Sequence, residues 1–329
     1  MSWQNQYLLI RFIHKTIHFV LNLFRQIPEH TLNHPTMATP TEPADATAPL
    51  DRLSSLLERF RVRAHLFHNG PLCGVTHFDA QTGRGFLHVL RRGSMVVTHR
   101  PRQGAPRRIV INEPSLLFYP RPLAHDFHNA PAEGSDFVCA TLDFDGGASH
   151  PLARALPAVV VLPLHEVAGL DHTLALLFTE TERLRCGQRL LADRLFEVLL
   201  LQLLRWLLDH PDEASVPKGL LTGLAHPKLA RALAAMHEQP GEAWALASMA
   251  QRAGMSRSAF AAAFKAEVGQ PPAQYLVQWR VSIAQSLLRN GCSIKAAADK
   301  LGYASASSLS RAFTDTAGQS PRAWLIANG

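Results

Sequence analysis

The feature that most restricts how this chain can fold is a repeat near its C-terminus. Trp244–Tyr275 (WALASMAQRAGMSRSAFAAAFKAEVGQPPAQY) is matched by Cys292–Trp324 (CSIKAAADKLGYASASSLSRAFTDTAGQSPRAW). Leu246, Ala250 and Gly254 align with Ile294, Ala298 and Gly302 at an offset of 48 residues. Phe260, Phe264, Gly269, Pro272 and Tyr275 then align with Leu309, Phe313, Gly318, Pro321 and Trp324 at an offset of 49. The second copy therefore carries one extra residue just after its turn glycine.

Each matched position has a mechanical reason. A small residue (Ala250, Ala298) lets the first helix of a unit approach the second. The glycine four residues on takes the positive φ that a tight inter-helix turn demands. Ser256 and Ser305 are placed to N-cap the following helices. The i, i+4 pairs Phe260/Phe264 and Leu309/Phe313 anchor those helices to a core and fix which face remains outside. We expect these rods over Arg257–Glu267 and Ser307–Thr316, joined by a long helix over Ala273–Arg289. The outer face is polar, basic or small, as a helix entering a DNA major groove requires.

Charge supports a polyanion partner at this end. From His226 onward there are eleven Lys and Arg against five Asp and Glu, whereas residues 37–225 carry nineteen basic and twenty acidic side chains. A basic module on a near-neutral body engages a polyanion by one end. The cysteines (Cys73, Cys139, Cys186, Cys292) form no CxxC pair, and we expect them reduced, in a cytoplasmic protein.

Residues 7–24 (YLLIRFIHKTIHFVLNLF) are apolar but interrupted by Arg11, His14, Lys15 and His18, which disfavours a membrane span. Met37 opens MATPTEPADATAPL, and we expect it to be the native start, with a surface amphipathic helix over the first 36 residues as the alternative. Residues 1–50 are read as a leader. A short amphipathic helix follows over Asp51–Phe60. Short β-type runs come next, at Ala64–His68, Phe86–Leu90, Ser94–Thr98, Arg108–Ile111, Ser115–Tyr119 and Phe137–Phe144, broken by turn residues; this spacing fits an antiparallel barrel or sandwich. Helical spacing returns at Asp171–Arg185 and Leu190–Leu208. The second of these is apolar on nearly every face, punctuated by Asp193, Arg194, Glu197, Gln202 and Arg205. It needs cover on most sides, from the same chain or from a second copy in a homodimer.

Residues 226–329 resemble the AraC/XylS family of bacterial transcription regulators. The resemblance is carried by SIKAAADKLGYASASSLSRAFTDTAGQSPRAW and by PPAQYLVQWRVSIAQSLL in the connecting helix. Residues 51–130 resemble the cupin-like sensor domain of one branch of that family, through DRLSSLLERFRVRAHLF, FLHVLRRGSMVV and EPSLLFYPRPLAHDF. The fold expected is α+β: a cupin-like effector-binding barrel (51–165), a helical dimerisation segment and linker (166–225) and an all-α DNA-binding domain with two helix-turn-helix units (226–329). The resemblance implies a homodimeric activator that binds double-stranded promoter DNA, answers to a small-molecule effector, contacts RNA polymerase and is neither membrane-bound nor an enzyme.

Carried over by position, the groove-facing residues are Ser256, Arg257, Ser258, Ala261, Ala262 and Lys265 in the first unit. In the second they are Ser305, Ala306, Ser307, Ser310, Arg311 and Thr314. The family commonly has Arg where Ala262 stands, and Arg311 keeps it in the second unit. Alanine touches a thymine methyl but cannot make the bidentate guanine contact of Arg, so the second unit is expected to supply more of the discrimination. An alanine-rich reader also leaves open architectural DNA binding without sequence preference. In the barrel, His77, His88, Tyr119 and His125 are the candidate effector-binding residues. The HxH pair of metal-dependent cupins is missing, since Val89-Leu90 follow His88. Convergence of His77, His88, His99, His125 and His128 would make the alternative, a metal-dependent cupin enzyme with a DNA-binding appendage; the expectation is no catalytic residue, no cofactor and no metal.

Overall fold

The computed structural model describes residues 50–101, 104–129 and 134–328, so the expectations for residues 1–49 lie outside the described residues. After a short helix α1 (Ser54–Arg59) come nine strands: β1 (Val62–Leu72), β2 (Val75–Phe78), β3 (Arg84–Arg92), β4 (Met95–His99), β5 (Arg108–Ile111), β6 (Ser115–Tyr119), β7 (His125–Asn129), β8 (Ser135–Phe144) and β9 (Val160–Pro163). They form two antiparallel sheets, one ordered β1-β8-β3-β6-β9 and the other β2-β7-β4-β5.

The larger sheet is covered on both faces, which is why its central strands read as continuous apolar runs. Alternation sorts their side chains. Leu87, Val89, Leu116, Phe118, Val138 and Ala140 join the core shared with the helices. Phe86, Leu90, Leu117, Tyr119, Phe137 and Cys139 point the other way and meet Met95, Val97, Ile111 and Phe127 of the smaller sheet. The barrel interior is that second layer.

Helix α2 (Pro151–Ala155) and the packed pair α3 (Leu170–Glu182) and α4 (Gln188–Asp209) follow. The acidic residues that punctuate α4 have a specific task. Strand β1 lies at the sheet edge, and an unpaired edge N–H is costly to bury and prone to pair with other chains. Asp193 Oδ1 accepts from Leu66 N at 2.7 Å, and Glu197 Oε1 accepts from Ala64 N at 3.4 Å. The helix thus caps the edge with its carboxylates while Leu195, Phe196, Leu199, Leu203 and Leu207 enter the core. Cover on most sides comes from the same chain, except for a stripe containing Leu190, Leu191, Val198 and Leu201, which stays exposed.

The C-terminal half is helical: α5 (Leu220–Ala225), α6 (Leu229–Glu238), α7 (Leu246–Arg252), α8 (Arg257–Val268), α9 (Pro272–Arg289), α10 (Ile294–Lys300), α11 (Ala306–Ala317) and α12 (Pro321–Asn328). The two halves share one core. Arg59 donates to His237 O (3.1 Å) and Glu238 O (2.8 Å), and the Phe60 ring lies 5.2 Å from that of Trp279. Arg52 bonds both Asp209 Oδ1 at the end of α4 (3.0 Å) and Leu224 O in α5 (3.3 Å). No helix of the described residues is long and apolar enough to cross a membrane.

Candidate functional site

The repeat folds as two matching helix-turn-helix units, α7/α8 and α10/α11. Ala250 and Ala298 are buried where the helices of each unit meet. Each unit closes its turn with the same bond, Met255 N to Ala250 O and Tyr303 N to Ala298 O, both 3.0 Å. Gly254 (φ +61°) and Gly302 (φ +71°) occupy the left-handed position that this closure requires. Ser256 Oγ accepts from Ala259 N (3.3 Å), and Ser305 Oγ accepts from Ser308 N (3.1 Å), so both helices start at a side-chain cap. They end on Gly269 and Gly318.

Phe260, Phe264, Leu309 and Phe313 are fully buried and turn the opposite faces outward. On α8, Arg257, Ser258, Ala262 and Lys265 are exposed and Ala261 is half-buried; on α11, Ser307, Arg311 and Thr314 are exposed and Ala306 and Ser310 half-buried. The capping residues Ser256 and Ser305 are exposed as well. Among the described residues, Arg257, Lys265 and Arg311 make no ion pair. Three free cations, two capped helix N-termini and small neighbouring side chains suit phosphates and base edges.

The barrel interior holds a second constellation. His88, His99, Tyr119 and His125 are buried and bonded in pairs: His88 Nε2 to His125 Nε2 (3.0 Å) and His99 Nε2 to Tyr119 Oη (3.1 Å). The Tyr119 and His125 rings stack at 4.0 Å, linking the pairs. Burial holds His88 well below the usual histidine range and His125 down to about 4, so both are neutral at pH 7. Burial likewise pushes the Tyr119 hydroxyl up.

His77 does not join this group: it is exposed on β2, bonded to Asp126 Oδ1 at 2.7 Å, at the rim of a cavity opening on the barrel mouth. His99 takes the inner position instead. Ending that strand at Thr98 in the sequence hid its parity with Met95 and Val97, whose period-2 register points His99 inward. His128 faces the other side of β7 and bonds Thr98 Oγ1 at 3.0 Å. Among the described residues no three His, Cys, Asp or Glu side chains are placed to hold a metal ion.

Comparison with known proteins gives two domain matches. A cupin family model matches residues 51–209, and a helix-turn-helix domain model matches residues 249–326. The chain is 32% identical over 305 residues to a putative AraC-like transcription regulator of Streptomyces antibioticus, covering 83% of this chain and 97% of that protein. It is 35% identical over 300 residues to a protein of the same description from Streptomyces lividans, with the same two coverages. The HTH-type transcriptional regulator AlkR of Acinetobacter baylyi is 35% identical over 178 residues, 52% of this chain and 57% of that protein.

Proposed function

The chain belongs to the AraC-like transcription regulators, and from that premise we propose that it reads promoter DNA with α8 and α11, with α11 supplying most of the base discrimination. The observation that carries this is the outward, unpaired placement of Arg257, Lys265 and Arg311 on two capped, parallel-built helices. In α8 the exposed face around Ala261 and Ala262 has no long donor between Arg257 and Lys265, so its contacts are to phosphate. Arg311 is the long donor on the outer face of α11 and takes a guanine edge. Ser256, Ser258, Ser305, Ala306, Ser307, Ser310 and Thr314 line the same surface.

Arg311→Ala should cost about 1–3 kcal/mol on the operator, roughly fivefold to 150-fold, and leave scrambled duplex nearly unaffected. Lys265→Ala should weaken both duplexes alike and lower the salt slope by about one. Fluorescence anisotropy at several salt concentrations measures both. Equal losses on both duplexes for Arg311→Ala would sink the assignment and favour architectural binding.

The barrel interior is our candidate effector site, with His88, Tyr119 and His125 at its centre and His77 at its rim. The second partner is a further copy of this chain. The exposed residues Leu191, Arg194, Val198, Leu201 and Arg205 recur at alternating spacings of three and four along α4, the stripe by which one helix packs along another. Leu191→Glu with Leu201→Glu should yield a monomer by light scattering that keeps the circular dichroism spectrum of the folded chain and whose melting temperature no longer depends on protein concentration. A dimer that persists would place the interface elsewhere. Activation rather than repression, and a contact with RNA polymerase, complete the reading and are tested by reporter transcription.

A further inference from the structure

The hydrogen bonds inside the barrel fix which nitrogen of each histidine carries the proton. His125 Nδ1 lies 2.8 Å from Leu123 O, and a carbonyl can only accept, so Nδ1 carries the hydrogen and Nε2 is bare. His88 Nε2 must then donate across the 3.0 Å contact to that bare nitrogen. This leaves His88 Nδ1 unprotonated, and it is buried with no partner. An acceptor buried unpaired is an expense that folded proteins rarely carry without a use.

The surroundings say what would use it. Phe67, Phe78 and Phe86 surround His88, with ring centroids 6.2, 4.8 and 5.6 Å from its own. The same three rings line a cavity of about 600 Å³ at the barrel mouth, together with His65, His77, Gln81 and Thr141; His88 itself is fully buried and stands behind the rings, outside that lining. Phe67 sits at a bulge in β1, between Leu66 and His68, and is 45% exposed. A bulge re-aims a side chain, here bringing an aromatic ring to the mouth beside Phe78 and Phe86. Among the described residues no Asp, Glu, Lys or Arg is buried in this interior; the charged groups at the cavity, Arg84 and Arg189 among them, stand at its exposed rim, and Arg84 is held by Asp143 at 2.7 Å.

We infer that the barrel takes a planar, uncharged ligand whose ring lies among Phe67, Phe78 and Phe86 and whose hydroxyl or N–H donates to His88 Nδ1. This rests on the reading of the barrel as the effector site and specifies the chemistry of that effector. A charged head placed at His88 would leave Arg84 and Arg189 behind at the rim and lie among neutral rings with no counter-charge beside it. A ligand without a donor would leave the nitrogen unpaired.

The test is calorimetric titration of the full chain with 4-propylphenol, 1-fluoro-4-propylbenzene and 4-propylbenzoate, followed by operator binding with each. The phenol should bind at least tenfold more tightly than the fluoro compound, which has its shape without the donor, and than the benzoate. That preference should vanish in His88→Phe. Phe67→Leu, an exposed and harmless site for folding, should weaken all three alike and keep the preference. Equal binding of the phenol and the fluoro compound, tightest binding of the benzoate, or no binding of any would overturn the ligand class. Preferential phenol binding that leaves operator affinity unchanged would sustain the class and tell against the barrel as an effector site.

Discussion

Taking the protein from pH 7 to pH 5 is expected to remove roughly 6 kcal/mol of stability and lower its melting temperature by more than about 10 °C. Burial holds His125 and His150 at about 4 and His237 at about 3. All three lie below the ordinary value of 6.5, so in the window from 6.5 down to about 4 the unfolded chain takes up protons that the folded chain refuses. Stability therefore falls as the pH falls through that window, by about 2 kcal/mol per histidine at pH 5. His88 acts in the same direction. Three such groups reach the whole stability of an ordinary domain.

Where these histidines sit decides what fails. His150 Nε2–H donates to Phe60 O (3.1 Å), while its bare Nδ1 accepts from Leu152 N (3.2 Å) and caps α2. A second proton would occupy Nδ1 and break that cap. His237 Nε2 meets Tyr275 Oη at 2.6 Å, its ring 4.1 Å from Trp279, which in turn packs on Phe60. Both lie along the seam between barrel and DNA-binding half, so acid should loosen the seam along with the barrel. Melts followed by circular dichroism at pH 7, 6 and 5 measure the loss. His150→Asn and His237→Gln should each flatten the pH dependence by about 2 kcal/mol. A melting temperature that stays level from pH 7 to 5 would contradict this account.

The parts legible in the sequence were those where one local rule decides. The second helices of the two units begin at Ser256 and Ser305 because a capping oxygen satisfies amides that nothing else reaches. They end near Gly269 and Gly318, where the chain needs a positive φ. The extra residue of the second unit lies in the turn, four residues separating α7 from α8 and five separating α10 from α11.

The barrel was less legible because its strands are short and their outer faces polar. Strand β7 (HDFHN) reads as a polar loop, yet His125, Phe127 and Asn129 are buried on one face while Asp126 and His128 face outward. Strands β2 and β9 have four residues each and are not among the expected runs, whereas the equally short β5, with its Ile-Val-Ile, is. Asp193 and Glu197 looked like interruptions of an apolar helix; their function depends on β1 lying beside them, a long-range fact that no window of sequence holds. His77 reads like the inner histidines in the sequence because register, which assigns a side chain to a face, is set by pairing across the sheet.

The turn glycines look equivalent in sequence and should respond unequally to substitution. Gly254 and Gly302 share the left-handed conformation, so an alanine at either costs about 1–2 kcal/mol for backbone strain. At Gly254 a Cβ meets nothing within 4 Å. At Gly302 it would collide with the carbonyl oxygen of Gly241 and press on Gly241 Cα at 3.2 Å. Gly241 is itself closely docked, since a Cβ there would stand 2.6 Å from Lys300 O. These two glycines hold the loop between α6 and α7 against the turn of the second unit, linking one helix-turn-helix to the other. Gly302→Ala should add an overpacking cost of about 1–3 kcal/mol to the shared strain. Gly241→Ala should incur the overpacking cost alone, because its φ lies outside the left-handed range. Denaturation midpoints should therefore fall most for Gly302→Ala, which carries both costs. Operator affinity should drop sharply in Gly302→Ala and Gly241→Ala, because prising this loop from the turn changes how α8 and α11, the proposed reading helices, are held. Should Gly254→Ala prove as damaging as Gly302→Ala, the close docking of Gly241 on the second unit would have no part in holding the readers together.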